Sequence, residues 1–262
     1  MPKPWKKKQS HIEVSEGGAI PTRNDWGLFS AWRIAFFGAI LMVVCLVFFK
    51  PDPYLDILKF LPDGILVTFK VTLMSIALSL VFGLIAGLGR ISENRLFNGI
   101  SSLYVEIIRG IPLLVQLFYI YYALGQVVNL SAITCAVVSM SICYGAYIAE
   151  IFRAGIKSIP EGQTEAARSL GMTPFQTMRY VILPQAVKTI LPPVGNEFVA
   201  LLKDSSLVSI LAVSDLLRRG REFAAQSFDY FEAFTMVALF YLIITLILSK
   251  LVGIMEDKIN VD

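Results

Sequence analysis

Residues 110–149 read GIPLLVQLFYIYYALGQVVNLSAITCAVVSMSICYGAYIA, forty positions without one Asp, Glu, Lys, Arg or His. A helix that crosses a bilayer needs roughly 20 predominantly apolar residues. The run therefore fits two spans joined by a short turn at Asn129-Leu130-Ser131. The rest of the chain agrees. Of its 262 residues 56% are hydrophobic and 16% charged, where soluble domains carry about 25% charged residues. The fold class is all-α: a polytopic helical membrane protein.

Working outward from this run, six spans are expected, at 31–49, 64–89, 99–128, 132–152, 190–212 and 233–252. The first is charge-free only from Ile34 to Phe49, with Trp32 and Arg33 as interface anchors. It begins too late for a signal peptide. Lys50-Pro51-Asp52-Pro53 follows it in place of a small-residue cleavage site, so it is read as a retained helix. In the second span Gly83 and Gly87 have the GxxxG spacing that permits close helix approach.

With a cytoplasmic N-terminus, the inner segments hold fifteen Lys and Arg and the outer loops five. Cytoplasmic loops carry the basic excess, so the N-terminus is read as inside. The chain then divides into a flexible cytoplasmic tail (1–30), an extra span with an outer loop (31–59), a core (60–255) and a short cytoplasmic C-terminal tail (256–262). Lys6-Lys7-Lys8 in the first tail suit an anionic lipid surface. The net charge of +3 is too small to argue for a nucleic-acid partner. Cys45, Cys135 and Cys143 lie in apolar runs and read as small packing residues. His11 is a lone tail residue with no metal or catalytic setting.

Between the fourth and fifth spans lies a polar, cytoplasmic segment, 161–184, EGQTEAARSLGMTPFQTMRYVILP. Ile159-Pro160-Glu161-Gly162 breaks the preceding helix, and Gln163 to Leu170 reads as a short helix ended by Gly171, suited to the left-handed C′ position. Thr173 is the N-cap of a second helix, with Pro174 at its first position and Gln176 at capping-box spacing. That helix is expected to stop at Leu183-Pro184. Two capped helices make an ordered handle suited to docking into a partner's groove.

Glu165-Ala166-Ala167, Gly171, Val181 and Leu183-Pro184 occur in an order and spacing that resemble the "EAA" loop of ABC importer permeases, with Val181 where the pattern has Ile. The segments 106–116, 145–155 and 202–207 resemble the polar amino-acid branch of that family, over roughly residues 60 to 255. The resemblance implies a type I ABC importer permease fold of five core spans, here with one extra N-terminal span. It implies coupling to a separate ATPase through the loop 158–184, by Glu165, Ala166, Ala167, Gly171, Leu183 and Pro184. It also implies partners: a cytoplasmic ATPase subunit dimer, a second permease chain (the same or a homologue), an extracytoplasmic solute-binding protein, an amino-acid substrate and membrane lipid, in a bacterial inner membrane. The outer loop 213–232, with Asp215, Arg218, Arg219, Arg221, Glu222, Asp229 and Glu232, is the longest candidate surface for the binding protein.

The chain has no G-x-x-x-x-G-K-[ST] sequence, so it forms no phosphate-cradling loop of that type. It also lacks HExxH, GxSxG and Cys/His metal spacing. No intrinsic enzyme activity and no cofactor of its own are expected. ATP and Mg²⁺ would belong to the partner subunit.

Charges within spans point to a substrate path, because each costs roughly 2.5–3.5 kcal/mol at a helix centre. Glu197 and Asp204 are seven apart and share a helix face, flanked by Asn196, Lys203 and Ser205. Pro192-Pro193 is expected to break this helix and free backbone groups for a ligand. The carboxylates suit the cationic side chain of Arg, Lys or His; the other reading is an internal ion-pair network. Lys203 either meets a substrate carboxylate or neutralises Asp204. Gln116 joins the path as part of a stripe with Glu106 and Arg109, for which gating or structural pairing is expected. Glu150 and Arg153 pair structurally on one face. Two other functions stay open: a secondary transporter, which internal repeats would support, and a channel-like membrane scaffold. No repeat is detectable in the sequence.

Overall fold

The computed structural model describes residues 30–261, so the tail reading falls outside the described residues. Within them the chain is helical and carries no strand. Helix α1 (Ala31–Phe49) is capped by Ser30, whose side chain accepts from the Arg33 amide. The expected outer loop after it is instead a short helix, α2 (Pro51–Phe60), started by prolines at its first turn. The second span is α3 (Pro62–Ile91).

The third span departs most from expectation. It is broken into α4 (Arg95–Gly110) and α5 (Leu113–Phe118), and α5 continues through a π-helical turn (Tyr119–Leu124) into α6 (Gly125–Val128). The two halves meet at 102°. The cause is Pro112, which disfavours helical backbone at the residue before it. Ile111 is accordingly extended, at φ −110° and ψ 128°. The turn expected at 129–131 is present: Asn129 is left-handed at φ 54° and Ser131 caps α7 (Ala132–Lys157).

After α7 come α8 (Glu161–Ser169), α9 (Pro174–Thr177), a π-helical turn (Met178–Ile182) and α10 (Leu183–Asp204). Leu183-Pro184 therefore does not end a helix. The widened turn passes straight into α10 with helical backbone at Ile182 and Leu183, and Pro184 is the second residue of α10. Nor do Pro192 and Pro193 break α10. A 3₁₀ segment (Ser205–Leu211) follows. The expected outer loop 213–232 contains α11 (Leu216–Ser227), packed on α3 and on α12 (Tyr230–Val261). Helix α12 absorbs most of the expected C-terminal tail.

Among the described residues, four helices or helix runs are long and apolar enough to cross a membrane, or five if the bent pair counts as one span. Helix α10, with Lys188, Glu197, Lys203 and Asp204, is not among them.

The centre of the molecule is the α3–α7 pair, which runs parallel: the Ser79 hydroxyl reaches Ser141 O, and Gly87 lies against Ala149 and Phe152. One face of α3 carries Thr68, Thr72, Ser75, Ser79, Gly83 and Gly87, all buried. In lipid, small residues are what let helices approach and gain dispersion contacts. A Cβ on Gly83 would overlap Ile148, and one on Gly87 would lie 2.8 Å from Phe152 Cβ. The GxxxG expectation thus meets its contact. Helix α1 lies antiparallel to α12. Trp32 Nε1 donates to Leu246 O at 2.8 Å near one end, and Lys50 pairs with Glu232 at 2.9 Å at the other.

Candidate functional site

The bend between α4 and α5 lays Arg109, Gly110, Ile111, Pro112 and Leu113 along one wall of a cavity of about 410 Å³. Cys143, Tyr144 and Tyr147 of α7 and Glu197 and Asp204 of α10 complete it. Two carboxylates on one helix face thus share a cavity with Arg109 of the broken helix. The Arg109 guanidinium lies 5.2 Å from the Tyr147 ring centroid, a cation–π contact. Tyr144 Oη donates to Asp204 Oδ2 at 2.8 Å. Among the described residues neither Arg109, Glu197 nor Asp204 forms an ion pair with a side chain.

The expected path residues divide. Glu197 and Asp204 line the cavity. Asn196 and Lys203 are exposed on other faces of α10, away from it. Ser205 is buried and its hydroxyl donates to Leu202 O, closing the helix end. Gln116 is buried behind the wall, where its Nε2 donates to Ile108 O and Ile111 O. The stripe of Glu106, Arg109 and Gln116 does not exist as one face, because the break at Pro112 turns its halves apart. Glu106 is exposed, 3.8 Å from Arg90. Arg109, expected to gate or to pair structurally, is a cavity residue. Tyr144, Tyr147 and the backbone at 110–113 were not expected there. Pro112 was the readable signal for the last of these.

The Glu150–Arg153 pair forms as expected, with Arg153 Nε donating to Glu150 Oε2 at 2.9 Å. Arg90 of α3 is a further partner of Glu150, so the cluster ties α3 to α7 beyond the GxxxG contact.

The loop 158–184 is ordered by the capping that its sequence specifies. Thr173 and Gln176 form the reciprocal capping box. Gly171 is left-handed at φ 80°. Its amide donates to Arg168 O and that of Met172 to Ala167 O, the Schellman pattern. Ala167 is buried beneath this turn, while Glu165, Ala166, Leu183 and Pro184 are exposed. Leu170, Phe175 and Tyr180 are exposed at 83%, 73% and 63%, large side chains on an otherwise polar handle.

In the expected outer loop 213–232, Asp215 is wholly buried. It caps α11 by accepting from the Leu217 and Arg218 amides, and Tyr241 Oη lies 3.3 Å from its Oδ2. Glu222 binds both Arg218 and Arg219. Asp215 is therefore unavailable to an outer partner, and of these charges Arg221 stays exposed. Burial follows from α11 folding back onto α3, which length alone did not reveal.

Residues 79–261 match the model of the binding-protein-dependent transport system inner membrane component family. The chain belongs to that family. This permease is 40% identical over 202 residues to the glutamine transport system permease protein GlnP of Escherichia coli (strain K12), covering 76% of this chain and 92% of the relative. It is 39% identical to the probable amino-acid permease protein YxeN of Bacillus subtilis (strain 168), covering 72% and 88%. A solved structure described as an amino acid ABC transporter with histidines matches with a TM-score of 0.75 and 41% identity, over 78% of this permease and 96% of that chain. The MetNI methionine ABC transporter in an inward-facing conformation matches with a TM-score of 0.64 at 24% identity, a likeness of fold. The permease is thus an inner-membrane, multi-pass subunit with the type I importer fold, of a family whose ATP-hydrolysing subunit is a separate chain.

Proposed function

We propose that this permease carries cationic amino acids inward and that the cavity between α4–α5, α7 and α10 is where the cargo passes. The observation that supports it is the charge set of the cavity: Glu197 and Asp204 against Arg109, none in an ion pair. Ionisable side chains inside a membrane domain that face a cavity without an ion-pair partner are functional-site candidates. A zwitterion with a cationic side chain brings two positive groups and one negative. Its carboxylate meets Arg109 and its two cations meet Glu197 and Asp204. A neutral amino acid leaves one carboxylate without a partner. The relatives named for glutamine make that the competing cargo class.

The same reading puts the N-terminus in the cytoplasm and the energy source on a partner. Glu165, Ala166, Ala167 and Gly171 form the rigid turn, and Leu183 and Pro184 pass its movement into α10, which carries both cavity carboxylates. The exposed Leu170, Phe175 and Tyr180 fit an apolar groove on an ATPase dimer. A second permease chain and an outer binding protein complete the assembly.

The test is isothermal titration of arginine and glutamine into the purified complex without binding protein. Arginine is expected to bind tighter. Asp204→Asn is expected to weaken arginine more than glutamine, by about tenfold or more, the size of a charge-assisted contact. Equal affinities in the wild type, or no change in the variant, would remove the cationic reading.

A further inference from the structure

We propose that Gln116 is a positioning residue for the cavity: its carboxamide holds the α4–α5 bend at the angle that aims Arg109 at the cargo. The inference rests on the reading of the cavity as the cargo site.

The argument starts from Pro112. In an unbroken helix the carbonyl of Ile108 accepts from the amide four residues on. That residue is Pro112, which has no N–H. The neighbouring Ile111 amide gives only a long 3.4 Å contact to Ile108 O. On the other side of the break, the Val115 and Gln116 amides both turn to Pro112 O, at 3.0 and 3.2 Å. Ile108 O is thus left with one long bond, and Ile111 O, on extended backbone before the proline, with no backbone donor.

Gln116 supplies both. Its Nε2 donates to Ile108 O at 2.9 Å and to Ile111 O at 2.8 Å. A carboxamide nitrogen has two hydrogens, so these bonds use all it has. The 3.7 Å approach of Nε2 to Cys143 Sγ is then packing against α7 rather than a third donation. The side chain is 7% exposed, so water does not compete for the carbonyls. One residue thus spans the break, with the last turn of α4 on one side and the first turn of α5 on the other.

What it holds in place is the wall. Arg109 lies next to Ile108, one of the two bonded carbonyls, and Ile111 is itself a wall residue. A change in the bend moves the guanidinium relative to Glu197 and Asp204, which belong to a different helix. Gln116 reaches the cavity only through Arg109 and its neighbours, because its own side chain lies behind them. The Oε1 atom is buried and has no donor.

Arg109 faces the part common to all amino acids, the α-carboxylate. Losing Gln116 should therefore weaken arginine and glutamine alike. Asp204 faces the part that differs. This separates positioning of Arg109 from a general loss of structure.

The test is a double-mutant cycle read by titration of arginine and glutamine into the purified complex. Gln116→Met keeps the length and removes both donors. It is expected to weaken both ligands by about tenfold, with their ratio unchanged. In the Arg109→Gln background it is expected to add nothing, and in the Asp204→Asn background to add its full effect. Pro112→Ala serves as the second variant. It restores the amide at the break, straightens the bend with Gln116 intact, and is expected to give the same pattern. Additivity of Gln116→Met with Arg109→Gln overturns the inference and leaves the cavity reading standing. If Arg109→Gln alone changes nothing, both fall.

Discussion

The Tyr144 hydroxyl donates to Asp204 Oδ2 at 2.8 Å, joining α7 to α10 across the cavity. Both residues line the cavity. Removing the hydroxyl leaves a half-buried carboxylate short of a donor, which costs about 1–3 kcal/mol. Tyr144→Phe is expected to lower the unfolding temperature of the empty complex. Arginine should restore it by more than it stabilises the wild type, because its ammonium or guanidinium replaces the lost donor. Thermal denaturation with and without arginine checks this; equal arginine shifts in variant and wild type would refute it.

Gly171 sits at φ 80° in the Schellman turn of the loop 158–184, to which the coupling role is proposed. A side chain in that conformation costs roughly 1–2 kcal/mol. Gly171→Asp is expected to insert normally in the membrane and to lose substrate-stimulated ATP hydrolysis in the reconstituted complex. Wild-type stimulation in that variant would mean that the turn does not transmit the stroke.

The contact of Gly83 with Ile148 leaves no room for a Cβ. Gly83→Ala must push α3 from α7, at about 1–3 kcal/mol, because its Cβ would lie 2.7 Å from Ile148 Cβ, which no rotamer moves. A lower unfolding temperature in detergent is expected. Gly99→Ala, on an open helix face, is the control and is expected to be neutral.

Helix α1 buries only Ala39 among its residues and rests on α12 and α2. The α3–α7 pair and the cavity do not include it. A chain lacking residues 1–50 is therefore expected to assemble with its ATPase and to keep cargo-stimulated hydrolysis. Loss of assembly, read by size-exclusion chromatography, would give α1 a structural role in the core.

Apolar run length determined the helical membrane fold, because a bilayer demands about 20 apolar residues wherever a helix crosses it. Local chemistry determined the shape of the loop 158–184 almost residue by residue. Thr173, Gln176 and Gly171 act within a few positions of one another, so their caps can be read along the chain. Glu197 and Asp204 were legible as a pair for the same reason: they share one helix face. The partners of that face were not legible. Arg109 comes to it from a helix nearly ninety residues earlier in sequence, through a 102° bend. Asp215 was read as surface and is buried, because α11 folds back onto α3. Gln116 was read as a path residue and instead fills the gap that Pro112 leaves. The sequence by itself determined which segments are apolar, where helices start and which residues share a face, since each depends on neighbours within a turn or two. Only the tertiary structure decided which charges meet, because the direction of a broken helix and the packing of small residues join positions that the chain keeps far apart.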